Sequence, residues 1–237
     1  MSSQAAADLL ADRLASIREQ VGRAARTAGR DPGAIRLLAV TKGHPAGSIE
    51  AALSLGLRDI GESRVQEAEA KRAAIAARGV SWHMIGHLQR NKARMAASLF
   101  DTVHSIDNAA VATALARHRT SDAPRLRVFV EVELTGLPGR TGVNAADAAA
   151  LLEVVRGLVE LEPVGLMTIA PPGPPASVAH CFSRLRGLRD ALRQSHGIAL
   201  DELSMGMSDD FEIAITEGAT VIRLGRALFG ERPARGG

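Results

Sequence analysis

Three lysines stand among 29 basic residues, and one of them, Lys42, follows the apolar run Ile35-Arg36-Leu37-Leu38-Ala39-Val40-Thr41 and precedes Gly43-His44-Pro45. Arginine supplies almost every other cation. Arginine holds charge but does not readily give up its proton, whereas lysine can lose one and attack a carbonyl. Two glycine-bearing segments far down the chain add a second kind of chemistry. Ser204-Met205-Gly206-Met207-Ser208-Asp209-Asp210 leads into an apolar segment beginning at Phe211, with Ser208 or Asp209 as the expected helix cap and Glu212 completing a capping box. Gly225-Arg226-Ala227-Leu228-Phe229-Gly230 begins with a glycine that permits close backbone approach to a ligand. Helix N-termini offer free N–H groups and the positive end of a dipole, which suit a phosphate. An imine-forming lysine opposite a phosphate cradle suggests pyridoxal 5′-phosphate, although aldolases acting on phosphosugars combine the same features.

These segments need a frame that turns them toward one another. Apolar positions Leu9, Leu10, Leu14, Ile17, Val21 and Ala25 predict an N-terminal helix over residues 5–28, stopped by Gly29. Strand and helix patterns then alternate. Strands are expected at Ile35–Val40, Arg58–Gly61, Trp82–Ile85, Thr102–Ile106, Arg127–Leu134, Val164–Ile169, Glu202–Met205 and Val221–Leu224. Helices are expected at Ile49–Leu55, Val65–Ala77, Lys92–Leu99, Ala109–Arg117, Ala145–Leu161 (capped by Asn144), Val178–Ser195 and Phe211–Glu217. Such alternation over 237 residues predicts an α/β chain folded as a single (β/α)8 TIM barrel, residues 1–30 forming an extra helix packed on it. An open doubly wound sheet shares the alternation, but no Gly-x-Gly-x-x-Gly turn follows the first strand. In a barrel the loops after the strands share one face, which would bring Lys42 opposite the last two loops.

Composition narrows the chemistry. The formal net charge is only +3, aromatic residues make up 3%, and tyrosine is absent, which argues against nucleic-acid binding. No apolar run reaches the roughly 20 residues a membrane helix needs. The N-terminus lacks the basic flank and apolar stretch of a secretory signal, and with a single cysteine, Cys181, no internal disulfide or cysteine metal cluster is possible. A cytoplasmic monomer without a membrane partner is expected.

The ordered segments Ala39-Val40-Thr41-Lys42, Gly61-Glu62, Trp82-His83-Met84-Ile85-Gly86, Leu88-Gln89 with Asn91-Lys92, Gly165-Leu166-Met167, Ser204 through Asp210, and Val221-Ile222-Arg223-Leu224-Gly225 resemble the pyridoxal phosphate homeostasis proteins (YggS/PROSC type). These are relatives of the barrel domain of bacterial alanine racemase, and the resemblance runs from about Leu37 to Gly230. It implies that Lys42 holds pyridoxal 5′-phosphate as an aldimine, with Ser208, Gly225 and Arg226 at the phosphate, Arg223 beside the ring nitrogen, Ile85 near the ring, and Ser63 and Met205 completing the cofactor-binding set. It further implies a role in vitamin B6 and amino-acid homeostasis without turnover, with apo forms of cofactor-dependent enzymes as recipients. A low-activity racemase or lyase is the alternative. The tyrosine that alanine racemases use as second acid and base has no counterpart, because the chain contains none.

Four positions depart from the family pattern. Ser63 replaces an asparagine after Gly61-Glu62, His87 a proline, Arg140 a lysine, and Arg226 a serine or threonine hydroxyl. His83 and His87 share a strand face with Ile85, but no third ligand accompanies them, so they are expected to pack rather than to bind metal. Cys181 sits among Phe182, Leu185 and Leu188 and is expected in the core. Asp209 and Asp210 are expected to turn their carboxylates away from a phosphate.

Overall fold

The computed structural model describes residues 3–76 and 79–232. Eight parallel strands make up its centre: β1 Arg36–Val40, β2 Asp59–Glu62, β3 Ser81–Met84, β4 Thr102–Ile106, β5 Leu126–Glu133, β6 Leu161–Met167, β7 Glu202–Ser204 and β8 Val221–Leu224. They pair in the order β4-β3-β2-β1-β8-β7-β6-β5, and β5 pairs back onto β4, so the sheet closes into a barrel with no open edge. Strands buried on both faces must be apolar on both, which is why β5 reads as the nearly unbroken run Leu126-Arg127-Val128-Phe129-Val130-Glu131-Val132.

Alternation along each strand divides its side chains between axis and jacket. Leu38, Phe129, Val164, Met167 and Val221 form one buried cluster on the axis, whereas Ala39, Val128, Val130 and Ile222 join the larger cluster beneath the helices. Two residues on from Leu38, Phe129 and Val221 come Val40, Glu131 and Arg223, which therefore also face the axis, toward the C-terminal mouth. Pro163 has no N–H to donate, and the β5–β6 register shifts beside it, between Val128 and Phe129.

The jacket comprises α2 to α9, of which α2 Gly47–Ser54, α3 Val65–Ala74, α6 Ala148–Arg156, α7 Pro175–His196, α8 Phe211–Thr216 and α9 Arg226–Phe229 matter below; α4 is Ala93–Leu99 and α5 Ala109–His118. The N-terminal helix α1, Ser3–Thr27, packs against α8, α9 and α2 of its own barrel. Leu10, Leu14, Ile17, Val21 and Ala25 are buried there, while Leu9 lies on the flank, 39% exposed. Just past the helix, Arg30 donates Nη1 to the Ile215 carbonyl and Nη2 to the Ala219 carbonyl, both at 2.7 Å, tying this connection to α8.

Most expected boundaries hold to within two or three residues, and two helices are corrected. The helix expected over Ala145–Leu161 begins as a single 3₁₀ turn and runs only from Ala148 to Arg156, because Leu161 already pairs with Leu126 in the barrel. Asn144 caps nothing with its side chain; with Val143 it forms a two-residue pairing to Val132 and Glu133. The helix expected to reach Ala77 ends at Ala74, Ala77 itself lying outside the described residues. Among the described residues no helix is long and apolar enough to cross a membrane.

Candidate functional site

Lys42 follows β1 directly, and its neighbours in sequence are held from the jacket side. Thr41 and Glu62 are adjacent across β1 and β2 and face α3. Thr41 Oγ1 donates to Glu62 Oε1 at 2.5 Å, and Lys71 Nζ, one turn from the end of α3, donates to the Thr41 carbonyl, Glu62 Oε1 and Glu67 Oε1, each at 2.7 Å. Glu67 Oε1 also accepts the Gly43 N–H at 2.5 Å. Helix α3 thus grips the peptide units on both sides of Lys42, and alternation turns the Lys42 side chain toward the axis. Glu62 is fully buried and its Oε2 has no hydrogen-bond partner among the described residues. Burial pushes its pKa up, outweighing the pull of Lys71 and Thr41.

Lys42 enters a cavity of about 450 Å³ at the C-terminal mouth, together with Val40, Ile85, Ser208, Arg223, Gly225 and Arg226. Burial, reinforced by the guanidinium groups of Arg232 and Arg223, lowers the Lys42 pKa; Glu62 and Glu67 pull weakly the other way. A half-buried amine among cations gives up its proton more readily than a solvated one.

Arg223, 5% exposed, crosses from β8 to its neighbours. Nη1 donates to the Ser204 carbonyl at 2.7 Å and to Ser204 Oγ at 2.9 Å, and Nη2 donates to the Thr168 carbonyl at 3.0 Å. Burial lowers its pKa to about 10, with Asp210 and Glu131 resisting, so it remains a cation at neutral pH.

The two loops after β7 and β8 are hydrogen-bonded to each other rather than capped independently. Ser208 Oγ accepts the Ala227 N–H at 3.0 Å, so Ser208 serves α9 and not the helix it precedes. This corrects the expected capping box: Asp210 is the residue before α8, its side chain caps no α8 N–H, and its Oδ1 accepts the Met207 N–H at 2.6 Å. The Asp209 carboxylate takes the guanidinium of Arg226 in an exposed pair. Both carboxylates are therefore engaged within the loops. Gly206 makes the turn possible: its φ is +92°, and a Cβ there would lie 2.6 Å from that of Ala214.

Six of the eight expected cofactor-binding residues converge on this cavity, and two do not line it. Met205 is fully buried in the wall, its N–H donated to the Val221 carbonyl at 3.1 Å. Ser63 lies on the β2 exit loop, pressed onto Gly86 so closely that a Cβ at Gly86 would stand 2.3 Å from the Ser63 carbonyl oxygen. The exposed Arg140 lies beyond β5 and does not line the cavity. Sequence reading missed His44, Glu231 and Arg232, which also line it. His44 packs on Phe229 with ring centroids 5.3 Å apart, and burial lowers its pKa, with Lys71 and Arg232 adding to the effect. Its place two residues after Lys42 was the only available signal; nothing local marks Arg232. His83 and His87 part company. His87 pairs with Asp107 at 3.1 Å, whereas His83 lies wholly inside the barrel, and among the described residues no cluster of three or more metal-ligating groups forms. Cys181 is buried, as expected.

Residues 13–233 match the family model described as alanine racemase, N-terminal domain. The chain is 42% identical over 224 residues to a pyridoxal phosphate homeostasis protein of Pseudomonas aeruginosa, covering 94% of this chain and 96% of the relative. Its identity to the protein of that name in Escherichia coli K12 is 37% over 231 residues, covering 94% and 97%. Among solved structures, PipY of Synechococcus elongatus with PLP bound superposes with a TM-score of 0.83 at 40% identity, covering 93% of this chain and 100% of that one. A barrel whose first-strand lysine faces two interlocked phosphate-suited loops, with identity of this order along the full length of its relatives, leaves one assignment: the chain belongs to the pyridoxal phosphate homeostasis protein family.

Proposed function

We propose that this protein binds pyridoxal 5′-phosphate in the cavity at the C-terminal mouth and acts in intracellular cofactor homeostasis, holding the cofactor without catalytic turnover. The observation that carries this reading is the convergence of Lys42, an amine with lowered proton affinity, with Ser208, Gly225 and the cations Arg223, Arg226 and Arg232 on one cavity. The bound cofactor supplies an aldehyde open to attack by an amine, a phosphate dianion and an aromatic ring.

The residues present suit those three parts. Lys42 supplies the amine, in a setting that favours its neutral, attacking form. Ser208 already accepts the Ala227 N–H, so its own hydroxyl hydrogen is available to a phosphate oxygen. Gly225 lets the loop lie against β1, since even a Cβ there would reach 3.2 Å from the Val40 carbonyl oxygen. Ile85 offers an apolar face. Arg223 is locked by Ser204 and Thr168 and remains cationic, so it withholds a proton from any ring atom it faces and weakens electron withdrawal through the ring. With no tyrosine in the chain to act as a second acid and base, retention is favoured over racemisation. Apo forms of cofactor-dependent enzymes are the recipients this role calls for.

The purified protein is expected to show a visible absorption band that borohydride bleaches while fixing the cofactor's mass to the chain. Lack of a band after loading, or interconversion of alanine enantiomers at an enzyme-like rate, would reject the reading. Arg226→Thr should weaken retention of pyridoxal 5′-phosphate by at most about fivefold, since a solvent-exposed charge already paired with Asp209 contributes little. A titration at two salt concentrations checks this, and the difference between Arg226 and Thr should shrink at the higher one.

A further inference from the structure

Beneath the cavity the barrel axis is not entirely apolar. Asp59 Oδ1 lies 3.0 Å from His83 Nε2, His83 Nδ1 lies 3.0 Å from His104 Nε2, and His104 Nδ1 lies 2.8 Å from Ser204 Oγ. Ser204 Oγ in turn accepts from Arg223 Nη1 at 2.9 Å. Five side chains on five strands thus form an unbroken hydrogen-bond chain from the N-terminal mouth, where the Asp59 side chain is 28% exposed, to the guanidinium at the cavity. His83, His104 and Ser204 are fully buried, and His104 is stacked on Phe129 at 4.3 Å.

We propose that Asp59, His83, His104 and Ser204 are positioning residues for Arg223, forming a relay in which every hydrogen points away from the cavity and which couples the N-terminal mouth of the barrel to cofactor binding. The end groups impose the direction. A guanidinium only donates and a carboxylate only accepts. Ser204 accepts from Arg223 and passes its own hydrogen to His104 Nδ1. His104 Nε2–H then donates to His83 Nδ1, and His83 Nε2–H donates to Asp59, with Ser81 Oγ as a side partner at 3.1 Å. Each ring nitrogen has one role, and every link is satisfied with both imidazoles neutral.

An extra proton on His83 would reverse the two links above it, because its Nδ1–H would have to donate to His104. Arg36 and Arg127 face Asp59 and also hold Glu202, giving two cations against two carboxylates at the base of the barrel, with Arg223 a further cation above. His104, enclosed on all sides, has its pKa pushed well down by burial; a positive charge on His83 would act in the same direction, as do Arg223, Arg36 and Arg127.

The effect on the cofactor rests on the proposed function, whereas the direction of the relay can be read without it. Long-range ¹H–¹⁵N spectra of the full chain free of cofactor, assigned with His83→Gln and His104→Gln, should show both rings neutral at neutral pH with the hydrogen on Nε2. An imidazolium at His83, or the hydrogen of His104 on Nδ1, would overturn the proposal. Asp59→Ala removes the terminal acceptor. It should bring His104 into tautomer exchange and weaken retention of pyridoxal 5′-phosphate by roughly two- to thirtyfold, the usual range for coupling between separated sites. Unchanged His104 signals together with unchanged retention would also overturn it. Absence of a visible band in the loaded wild-type protein would instead strike at the proposed function and leave the ring spectra to decide the relay alone.

Discussion

Replacing Lys42 with alanine is expected to abolish the visible band of the cofactor-loaded protein and to leave no mass fixed by borohydride. The cofactor would then be held only by ionic and hydrogen-bonding contacts, and its retention should fall by on the order of a hundredfold, or about 2.7 kcal/mol. Lys42→Arg separates the two parts of the effect. It keeps a cation at the rim but cannot supply a neutral amine at ordinary pH, so it should lose the band as alanine does while retaining more of the noncovalent affinity. The pH dependence follows from burial and from Arg232 and Arg223, which lower the Lys42 pKa. Attachment needs the neutral amine, so its rate should rise with pH and level off at a lower pH than for a solvated lysine. The same shift acts on folding. Below the lowered pKa the folded chain carries a buried charge that it holds less favourably than the unfolded chain does, and this cost is relieved as pH rises through that pKa. A persistent band in Lys42→Ala would move the attachment point elsewhere; Lys92, in the 3₁₀ turn before α4, would then be examined.

The second large effect is expected at Lys71, outside the cavity. Lys71→Met keeps much of the side chain's length and removes the charge that three acceptors share. Glu62, 0% exposed with one oxygen already lacking a partner among the described residues, would be left as an uncompensated buried carboxylate. Breaking such a pair from one side costs about 3–5 kcal/mol. The cost should depend on pH. Burial already raises the Glu62 pKa above its ordinary value, and loss of Lys71 raises it further. A carboxyl with a raised folded pKa penalises the fold while ionised and ceases to do so as pH falls through that pKa. Denaturant unfolding should therefore show the full deficit at mildly alkaline pH and a smaller one in mild acid, and Lys71→Met with Glu62→Gln should recover part of it. A deficit under 1 kcal/mol at alkaline pH would mean that water reaches Glu62 and the pair is not truly buried. Attachment at Lys42 should slow in the single variant, because the Thr41 carbonyl loses one of the two ties from α3 that brace the Lys42 backbone.

Much of this was legible in residue order. Repeated apolar runs, glycine stops and helical spacing located every barrel strand, since those signals act within a few residues. Boundaries failed where tertiary pairing outweighed local propensity. Ala145 through Leu161 reads as one helix, yet Leu161 and the residues after it are claimed by β5. Ser208 reads as the cap of the next helix, yet its oxygen accepts a hydrogen from Ala227, nineteen residues on. The two loops read as one phosphate cradle in the sequence, and the fold adds that they are hydrogen-bonded to each other.

What the sequence determined by itself was the chemical inventory and its approximate frame: a scarce amine after the first strand, two glycine-bearing loops after the last two, an arginine in β8, and no tyrosine. The tertiary structure alone decided which of these residues meet and in what electrostatic setting. Met205 fell away from the cavity because strand alternation turns it, like Leu203, beneath the helices, and Ser63 because its loop is pressed onto Gly86, while His44 and Arg232 entered it from loops that only barrel closure brings to the mouth. The lowered pKa of Lys42 was equally invisible beforehand. It depends on burial and on a guanidinium 190 residues away in the chain, and both exist only once the barrel has closed. The hydrogen-bond chain from Asp59 to Arg223 belongs to the same class, since its members lie on five strands and share no local pattern.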